Sequence, residues 1–196
     1  MQTAVFPEPV RLRHGETLPG VQVAYETYGT LNEDRSNAVL ICHAITGDSH
    51  PARHDENDDP GWWENLVGPG KAVDTDRLFV ICSNVLGGCR GTTGPVTINP
   101  ETSRPYGSDF PLVTVEDMVD VQKRLVDLLG ITRLRAVIGG SLGGHQVLSW
   151  ATRHPERVQT AVVIAASARL TAQAIAFDVV GRNAIQTDPS FHGGQY

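Results

Sequence analysis

The chain has 196 residues and a formal net charge of −6, with 40% hydrophobic and 19% charged residues. A chain of this length buries roughly 70% of its unfolded surface, which is enough for one domain with a hydrophobic core. The acidic balance argues against a nucleic-acid surface, and no stretch approaches the roughly 20 consecutive apolar residues of a membrane-spanning helix.

The N-terminal residues and the cysteines predict a cytoplasmic protein. Residues 1–13 lack a basic segment followed by an apolar one, so we expect no secretory signal. Three cysteines are an odd number, which favours reduced thiols over a disulfide framework. Cys42 and Cys82 lie in apolar runs and are expected to be buried, whereas Cys89 lies in a glycine-rich loop. No pair of cysteines has the spacing of a zinc site.

Hydrophobic patterning predicts short strands first and then strands that alternate with helices. The predicted strands span residues 9–12, 21–27, 38–43, 78–84, 136–138 and 161–165, the first two being joined by the turn at 18–20. A short helix is predicted at 62–67, a second helix begins after Thr114 and ends at Gly130, a third ends at residue 153, and a fourth spans 171–185. Asp117 follows Thr114 at the spacing of a capping box.

Continuous apolar strands that alternate with helices are typical of an α/β protein, with a mostly parallel sheet and helices on both faces. The two N-terminal strands would form an antiparallel edge. In such sheets the functional groups lie beyond the carboxyl ends of the strands, here in the loops after Cys42, Asn84 and Ile138.

The loop after Ile138 carries the pattern G-x-S-x-G between a predicted strand and a predicted helix, which is typical of a nucleophile elbow. Gly139 and Gly143 would let the turn tighten, and Ser141 would be presented at a helix N-terminus, where developing negative charge is favoured. A serine that only caps a glycine-rich helix start is the alternative. The strand before it and the helix after it favour the nucleophile.

A serine nucleophile needs two N–H donors for the oxyanion of its tetrahedral intermediate. The backbone N–H of Leu142 is the first candidate, because Leu142 follows the nucleophile. The loop after residue 43 would supply the second, from Ile45 or from Thr46 beside it. An ordinary strand exit that happens to contain glycine is the alternative interpretation of that loop.

No complete catalytic triad follows Ser141 in the sequence. The histidines and acids after Ser141 that could serve are His145, His154, His192, Asp178 and Asp188. His145 lies too near the nucleophile on the same helix, and His154 lies at the end of that helix. The others do not follow a later strand that would bring them back to the sheet edge. His154, before a proline, is expected at the surface. We also considered a metal site at His43, His50, His54 and Asp55, but the spacing matches no ligand pattern and favours a solvated loop, so no metal is expected.

The chain resembles the homoserine O-acetyltransferase family of α/β-hydrolase-fold acyltransferases over nearly its whole length. The segments that carry the resemblance are YETYG at 25–29, HAITGDSH at 43–50, GWW at 61–63, GPGK at 68–71 with DT at 74–75, FVICSNVLGGC at 79–89, GTTGP at 91–95, PYG at 105–107, GGSLGG at 139–144, and DP at 188–189 with GG at 193–194. Two positions depart from the family pattern, since Leu142 and His145 stand where the family usually has Met. His145 would alter the acyl pocket.

The resemblance implies an α/β-hydrolase fold and a ping-pong reaction of methionine biosynthesis. Ser141 would accept an acyl group from acetyl-CoA, a co-substrate rather than a bound cofactor, and pass it to the hydroxyl of homoserine. The implied partners are these small molecules, with no nucleic acid and no membrane, and a homodimer is expected only of the full-length protein. Succinyl-CoA as donor and serine as acceptor are alternatives within the family, and an esterase or a non-catalytic remnant are alternatives outside it.

The family's triad Asp and His lie beyond a helical lid, which begins about where this chain stops. Residues 1–170 would therefore form the N-terminal part of the hydrolase core, and residues 171–196 the start of the lid. With these two groups missing, we expect the 196-residue chain alone to show negligible acyl transfer.

Overall fold

A computed structural model describes residues 1–194 of the chain, and a six-stranded sheet forms its centre. The strands are β1 (Gln2–Phe6), β2 (Val21–Tyr28), β3 (Ala38–Cys42), β4 (Phe79–Ser83), β5 (Ala136–Gly140) and β6 (Ala161–Ile164), in the spatial order β1-β2-β4-β3-β5-β6. Strand β2 is antiparallel to both of its neighbours, whereas β4, β3, β5 and β6 are parallel. The predicted fold class is confirmed: a mostly parallel sheet with an antiparallel edge.

Residues 1–194 contain three α-helices: α1 (Val115–Leu128), between β4 and β5; α2 (Leu142–Arg153), between β5 and β6; and α3 (Ala172–Gln186), after β6. Two single-turn 3₁₀ helices lie at Gly107–Asp109 and Pro155–Arg157. Pairs of two-residue strands outside the main sheet close three loops, namely Val10–Arg11 with Thr17–Leu18, Val67–Gly68 with Val73–Asp74, and Ile98–Asn99 with Arg104–Pro105. No helix in the described part of the chain has the length and apolar character to cross a membrane.

Strand β3 lies in the middle of the sheet, between β4 and β5, and all five of its residues are buried. Its side chains alternate between two hydrophobic clusters. Leu40 packs with α1 and α2, and Ile41 packs on the opposite face. That second face is covered mainly by the segment 52–73, which contributes Val67 and the partly buried side chain of Trp62. Both faces of β3 are therefore dry, as its continuous apolar sequence predicts.

Helix α1 begins with the predicted capping box. The Thr114 hydroxyl accepts a hydrogen bond from the Asp117 N–H, and the Asp117 carboxylate accepts from the Thr114 N–H at 2.8 Å. The same carboxylate also accepts from the N–H of Arg13, which joins the N-terminal segment to the start of α1. The cap thus satisfies helix donors and fixes a long-range contact.

Three predictions about individual elements are wrong. The predicted strand at 9–12 shrinks to Val10–Arg11 and pairs outside the main sheet, because β1 takes the place beside β2. Residues 62–67 form turns followed by a two-residue strand rather than a helix. Strand β6 is apolar but exposed at all four residues, because the described residues place no strand on its outer edge.

Removing the cap of α1 should destabilise the fold measurably. In Thr114→Ala the Asp117 N–H loses its acceptor, which should cost about 1 kcal/mol of unfolding free energy. Urea denaturation of the full-length protein measures the loss. Thr102→Ala, at an exposed position outside any helix, should change stability by much less. Equal losses in the two variants would contradict this role for the cap.

Candidate functional site

Ser141 occupies a sharp turn between β5 and α2. Its backbone has φ 54° and ψ −122°, a conformation that costs a non-glycine residue about 1–3 kcal/mol. The N–H of Ser141 donates to the Ile164 carbonyl at 3.0 Å, which ties the turn to the end of β6. The side chain is exposed at the N-terminus of α2 and makes no hydrogen bond with any of residues 1–194. The turn therefore presents a free hydroxyl above the carboxyl edge of the sheet.

The glycines beside Ser141 are required by close backbone packing. A Cβ on Gly143 would overlap the carbonyl oxygen of Cys42, at the end of β3. A Cβ on Gly139 would lie 2.5 Å from the Gly143 backbone and 2.9 Å from the Cys42 oxygen. The first turn of α2 can therefore approach β3 only because both positions lack a side chain.

Two backbone donors lie near this turn. Leu142 is the first residue of α2, so its N–H has no partner within the helix. The N–H of Ile45 lies in the turn after β3, and neither group makes a hydrogen bond with the rest of the described chain. Ile45 is 79% exposed and lines the same cavity as Ser141 and Leu142. Thr46 instead lines a neighbouring cavity with His50 and Arg90.

The cavity beside Ser141 has a volume of about 810 Å³ and is open to solvent. His145 lines it, one helical turn beyond Ser141, as do Asp178 on α3 and the apolar side chains of Leu148 and Leu170. Neither His145 nor Asp178 makes a side-chain hydrogen bond to Ser141.

The other candidate triad residues lie elsewhere. His154 is the C-cap of α2, and its ring packs on Trp150 with a side chain only 16% exposed, so the expectation of a surface position is wrong. Asp188 lines a separate small cavity after α3, and His192 follows it in a turn. None of these groups contacts Ser141, because no strand beyond β6 returns the described chain to the sheet edge.

A buried hydrogen-bond network lies on the inner side of the turn that contains Ser141. The Gln146 amide donates to the carbonyls of His43 and Leu142 at 3.4 and 3.3 Å, and accepts from Gln122 at 2.7 Å. Gln122 accepts in turn from the Trp150 indole at 2.9 Å. The network joins the exit of β3 to α1 and α2. Sequence reasoning missed it, although a glutamine on the apolar face of α1 was a signal.

His43 is 1% exposed and holds the loop after β3 through both ring nitrogens. The Val85 N–H donates to Nε2 at 3.1 Å, so Nε2 must be unprotonated, and Nδ1 then donates to the Ala44 carbonyl at 2.7 Å. Burial lowers the pKa of His43, which keeps the ring neutral. The expected solvated position is wrong for this residue, because its ring is enclosed between two loops.

His50 and His54 also do not form a freely solvated loop. Both rings contact the carboxylate of Glu26, a buried residue on β2, and the Tyr28 hydroxyl reaches the same oxygen. Burial opposes ionisation of Glu26, but the hydrogen bonds from Tyr28 and His50 outweigh it and lower the pKa of Glu26. Burial likewise opposes the charge on His50, while the Asp59 carbonyl and Glu26 raise its pKa. Asp55 stays outside this contact.

A family model described as "alpha/beta hydrolase fold" matches residues 37–194, which include the elbow, the loop after β3 and both neighbouring helices. The chain belongs to the α/β-hydrolase fold family. Ser141 therefore lies between a strand and a helix of this fold, a position at which the G-x-S-x-G pattern predicts a nucleophile elbow.

The matches to curated relatives identify a narrower family than the fold does. The chain is 58% identical to "Homoserine O-acetyltransferase" of Methanococcoides burtonii over 95% of its length, and 60% identical to "Homoserine O-succinyltransferase" of Azoarcus sp. over 100%. It covers 38% and 52% of those two proteins, so it spans about half of their length or less. The resemblance drawn from the sequence motifs is confirmed by these matches.

Solved α/β-hydrolase structures give the same fold for the whole chain. A homoserine O-acetyltransferase from Bacillus anthracis matches with a TM-score of 0.89 at 39% identity, and esterase E22 matches with 0.88 at 38%. Each match covers 100% of this chain, and 54% and 55% of the respective structures. Transferases and esterases therefore share this part of the fold.

Gly143→Ala should destabilise the protein by about 3 kcal/mol or more, because the new methyl group overlaps backbone rather than a movable side chain. Gly181→Ala is the matched control, since Gly181 lies inside α3 and a Cβ there would have nothing within 4 Å. That change should stabilise the protein by about 0.5–1 kcal/mol. Thermal denaturation distinguishes the two, and a harmless Gly143→Ala would refute the packing argument.

His43→Gln should flatten the dependence of stability on acidification. The folded state keeps His43 neutral and the unfolded chain binds a proton, so this group removes stability as the pH falls below about 6.5. The loss is up to about 1.4 kcal/mol per pH unit. Glutamine retains a donor and an acceptor but does not titrate. Urea denaturation on either side of that pH measures the effect, with exposed His14→Gln as control.

Identical pH dependence in the wild type and in His43→Gln would show that His43 does not titrate between the folded and unfolded states.

Proposed function

We propose that the complete protein transfers an acyl group from acyl-CoA to the hydroxyl of L-homoserine, through an ester on Ser141. The observation that carries this proposal is the free Ser141 hydroxyl in the same cavity as two N–H groups that have no partner among residues 1–194. Identities of 56–60% to curated proteins named homoserine O-acyltransferases support the substrate class. A relative from Rhodopirellula baltica is named "Bifunctional methionine biosynthesis protein MetXA/MetW", which supports a role in methionine biosynthesis. This chain is 59% identical to it over 97% of its own length and covers 31% of that protein.

The chemistry assigns one role to each group. The Ser141 Oγ attacks the thioester carbonyl, and the N–H groups of Leu142 and Ile45 donate to the oxyanion that forms. Thr46 serves as the neighbouring alternative to Ile45. The thiol of CoA leaves, and the homoserine hydroxyl then attacks the acyl-serine and releases Ser141. No bound cofactor takes part, and His145 shapes the acyl pocket from α2.

A general base must accept the Ser141 proton in the first step and that of homoserine in the second. No described side chain hydrogen-bonds Ser141, so we propose that a histidine and an acid outside residues 1–194 complete the triad. Residues 1–170 then belong to the catalytic core, and residues 171–196 lead into a helical lid. The homodimer and the cytoplasmic location that the sequence predicts belong to this proposal as well.

We propose acetyl-CoA as the acyl donor and keep succinyl-CoA as the alternative donor. Both donors stand because acetyl- and succinyltransferases match with almost equal identity, 58% and 60%. An esterase is the candidate of another class, favoured by the match to esterase E22. The solved esterase and the solved homoserine O-acetyltransferase are almost equally similar, at 38% and 39% identity, so support for the transferase comes from the curated transferases at 56–60% identity.

Ser141→Ala in the full-length protein should lower acyl transfer by at least about 10⁴-fold, because no other group forms the covalent intermediate. The assay follows release of free CoA from acetyl-CoA or succinyl-CoA, with homoserine or serine as acceptor. Mass spectrometry without acceptor should show one acyl group on the wild type and none on the variant. Ser36→Ala, at the opposite end of β3, is the control and should keep full activity.

Rapid hydrolysis of p-nitrophenyl acetate, with no increase in rate when homoserine is added, would show that the protein is an esterase and not a transferase. The chain of residues 1–196 alone should show negligible turnover, because no side chain among the described residues hydrogen-bonds Ser141 as a general base would. Robust turnover by that chain, abolished by Ser141→Ala, would contradict the proposed position of the triad partners.

A further inference from the structure

Three side chains outside the Ser141 cavity bring nitrogen and oxygen ligands together. Glu26 lies on β2, and His50 and His54 lie on the loop that follows Thr46. The Glu26 Oε2 atom is 2.8 Å from His50 Nδ1 and 3.0 Å from His54 Nε2, and the three ligand atoms lie within 4.8 Å of one another. Metal–ligand bonds of 2.0–2.2 Å place tetrahedral ligands about 3.3 Å apart, so small shifts of the rings would admit a cation.

We propose that Glu26, His50 and His54 form a binding site for a divalent transition-metal cation of the zinc type. Two imidazoles and one carboxylate are ligands that such cations accept, whereas Ca²⁺ and Mg²⁺ prefer oxygen ligands alone. The site is independent of the proposed acyl transfer, because it uses none of the groups assigned to that reaction.

The surroundings of His50 fix which nitrogen faces the cation. His50 Nε2 is 2.8 Å from the carbonyl oxygen of Asp59, and only an N–H can donate to a carbonyl. With a proton fixed on Nε2, Nδ1 can exchange its own proton for a cation that lies between it and Glu26. Histidines that bind metals usually donate their second ring N–H to a carbonyl or carboxylate in this way, which fixes the tautomer.

The other two ligands are also held in place. The His54 ring stacks on Tyr28, with ring centroids 4.4 Å apart and an interplanar angle of 6°. The Tyr28 hydroxyl lies 2.7 Å from Glu26 Oε2, the oxygen that both imidazoles approach, and 2.6 Å from the Ala52 carbonyl oxygen, and it donates its single proton to one of these at a time. A carboxylate oxygen has two lone pairs, so this oxygen can accept from Tyr28 and still bind a cation. The ligands are therefore oriented by contacts outside the cluster.

Charge also favours a cation at this point. The Glu26 side chain is 8% exposed, and a buried carboxylate needs positive charge or hydrogen bonds beside it. The N-terminal ammonium of Met1 lies 3.7 Å from Oε1, which leaves Oε2 as the oxygen for the cation. Without metal, His50 must carry protons on both nitrogens to donate to Asp59 and to Glu26 simultaneously. A divalent cation replaces the inward-facing protons of both imidazoles and compensates the carboxylate. The His54 side chain is 42% exposed, which leaves a path for the cation and positions for water.

The cation would join the loop of residues 46–60 to the central sheet. Its ligands come from β2 and from two points of that loop, and the loop begins directly after Ile45. Three protein ligands with a solvent-facing side leave at least one coordination position for water. We assign it a structural role, because Ser141 lines a different cavity.

Titration of the full-length, chelator-treated protein with Zn²⁺ tests the site by calorimetry. We expect one Zn²⁺ per chain through this cluster, and Co²⁺ in its place should give the visible absorption of a low-symmetry nitrogen and oxygen site. Glu26→Gln, His50→Gln and His54→Gln should each lower the affinity by at least about 10-fold. His14→Gln, at an exposed position away from the cluster, should bind like the wild type.

His54→Gln is the variant expected to fold normally, because His54 is the most exposed of the three ligands. Circular dichroism confirms folding before the titration. Absence of Zn²⁺ binding by the wild type, or equal binding by folded His54→Gln, would overturn the site and leave a hydrogen-bonded ion pair. Loss of binding in Cys89→Ser, with the cluster intact, would overturn it as well. Acyl transfer is not measured, so failure here is distinct from failure of the proposed function.

Discussion

The close approach of the first turn of α2 to the end of β3 is the constraint on which the candidate site depends. Gly143 lies against the Cys42 carbonyl, and Ser141 adopts a positive φ so that the chain can reverse within a few residues. This contact brings the N-terminus of α2 beside the loop that carries Ile45. The strain at Ser141, about 1–3 kcal/mol, is held by the parallel strands on both sides of β5 and by the helices behind them.

The polar network beneath this turn shows how a buried core can also position backbone groups. Gln146 contacts the carbonyls of both His43 and Leu142, and Gln122 connects it to α1. A buried amide of this kind is stable only when its donors and acceptors are matched, so the network favours one arrangement of the loop and the helix. The neutral ring of His43 acts similarly, by joining the loop after β3 to the loop after β4.

Local sequence predicted those elements whose signals are complete within a few residues. The all-apolar run predicted β3, the capping box at Thr114 predicted the start of α1, and the G-x-S-x-G pattern predicted the strand, turn and helix around Ser141. These elements were predicted correctly because period, cap and turn chemistry are local properties. The strand at β1 was missed, since its five residues become a strand only by pairing with β2. The helix predicted at 62–67 is also wrong because of a long-range contact. Trp62 packs against the sheet, and this packing favours turns at 62–67.

By itself the sequence determined the fold class and the family resemblance, and it predicted Ser141 as the nucleophile, because a strand, a G-x-S-x-G turn and a helix follow one another without interruption. Only the tertiary structure decided which distant groups meet. Glu26 is 24 residues before His50 in the chain, yet its carboxylate contacts two histidines because β2 lies beside the loop that carries them. The order and register of the strands determine which side chains from separate elements come into contact. The spacing of residues along the sequence does not contain that order.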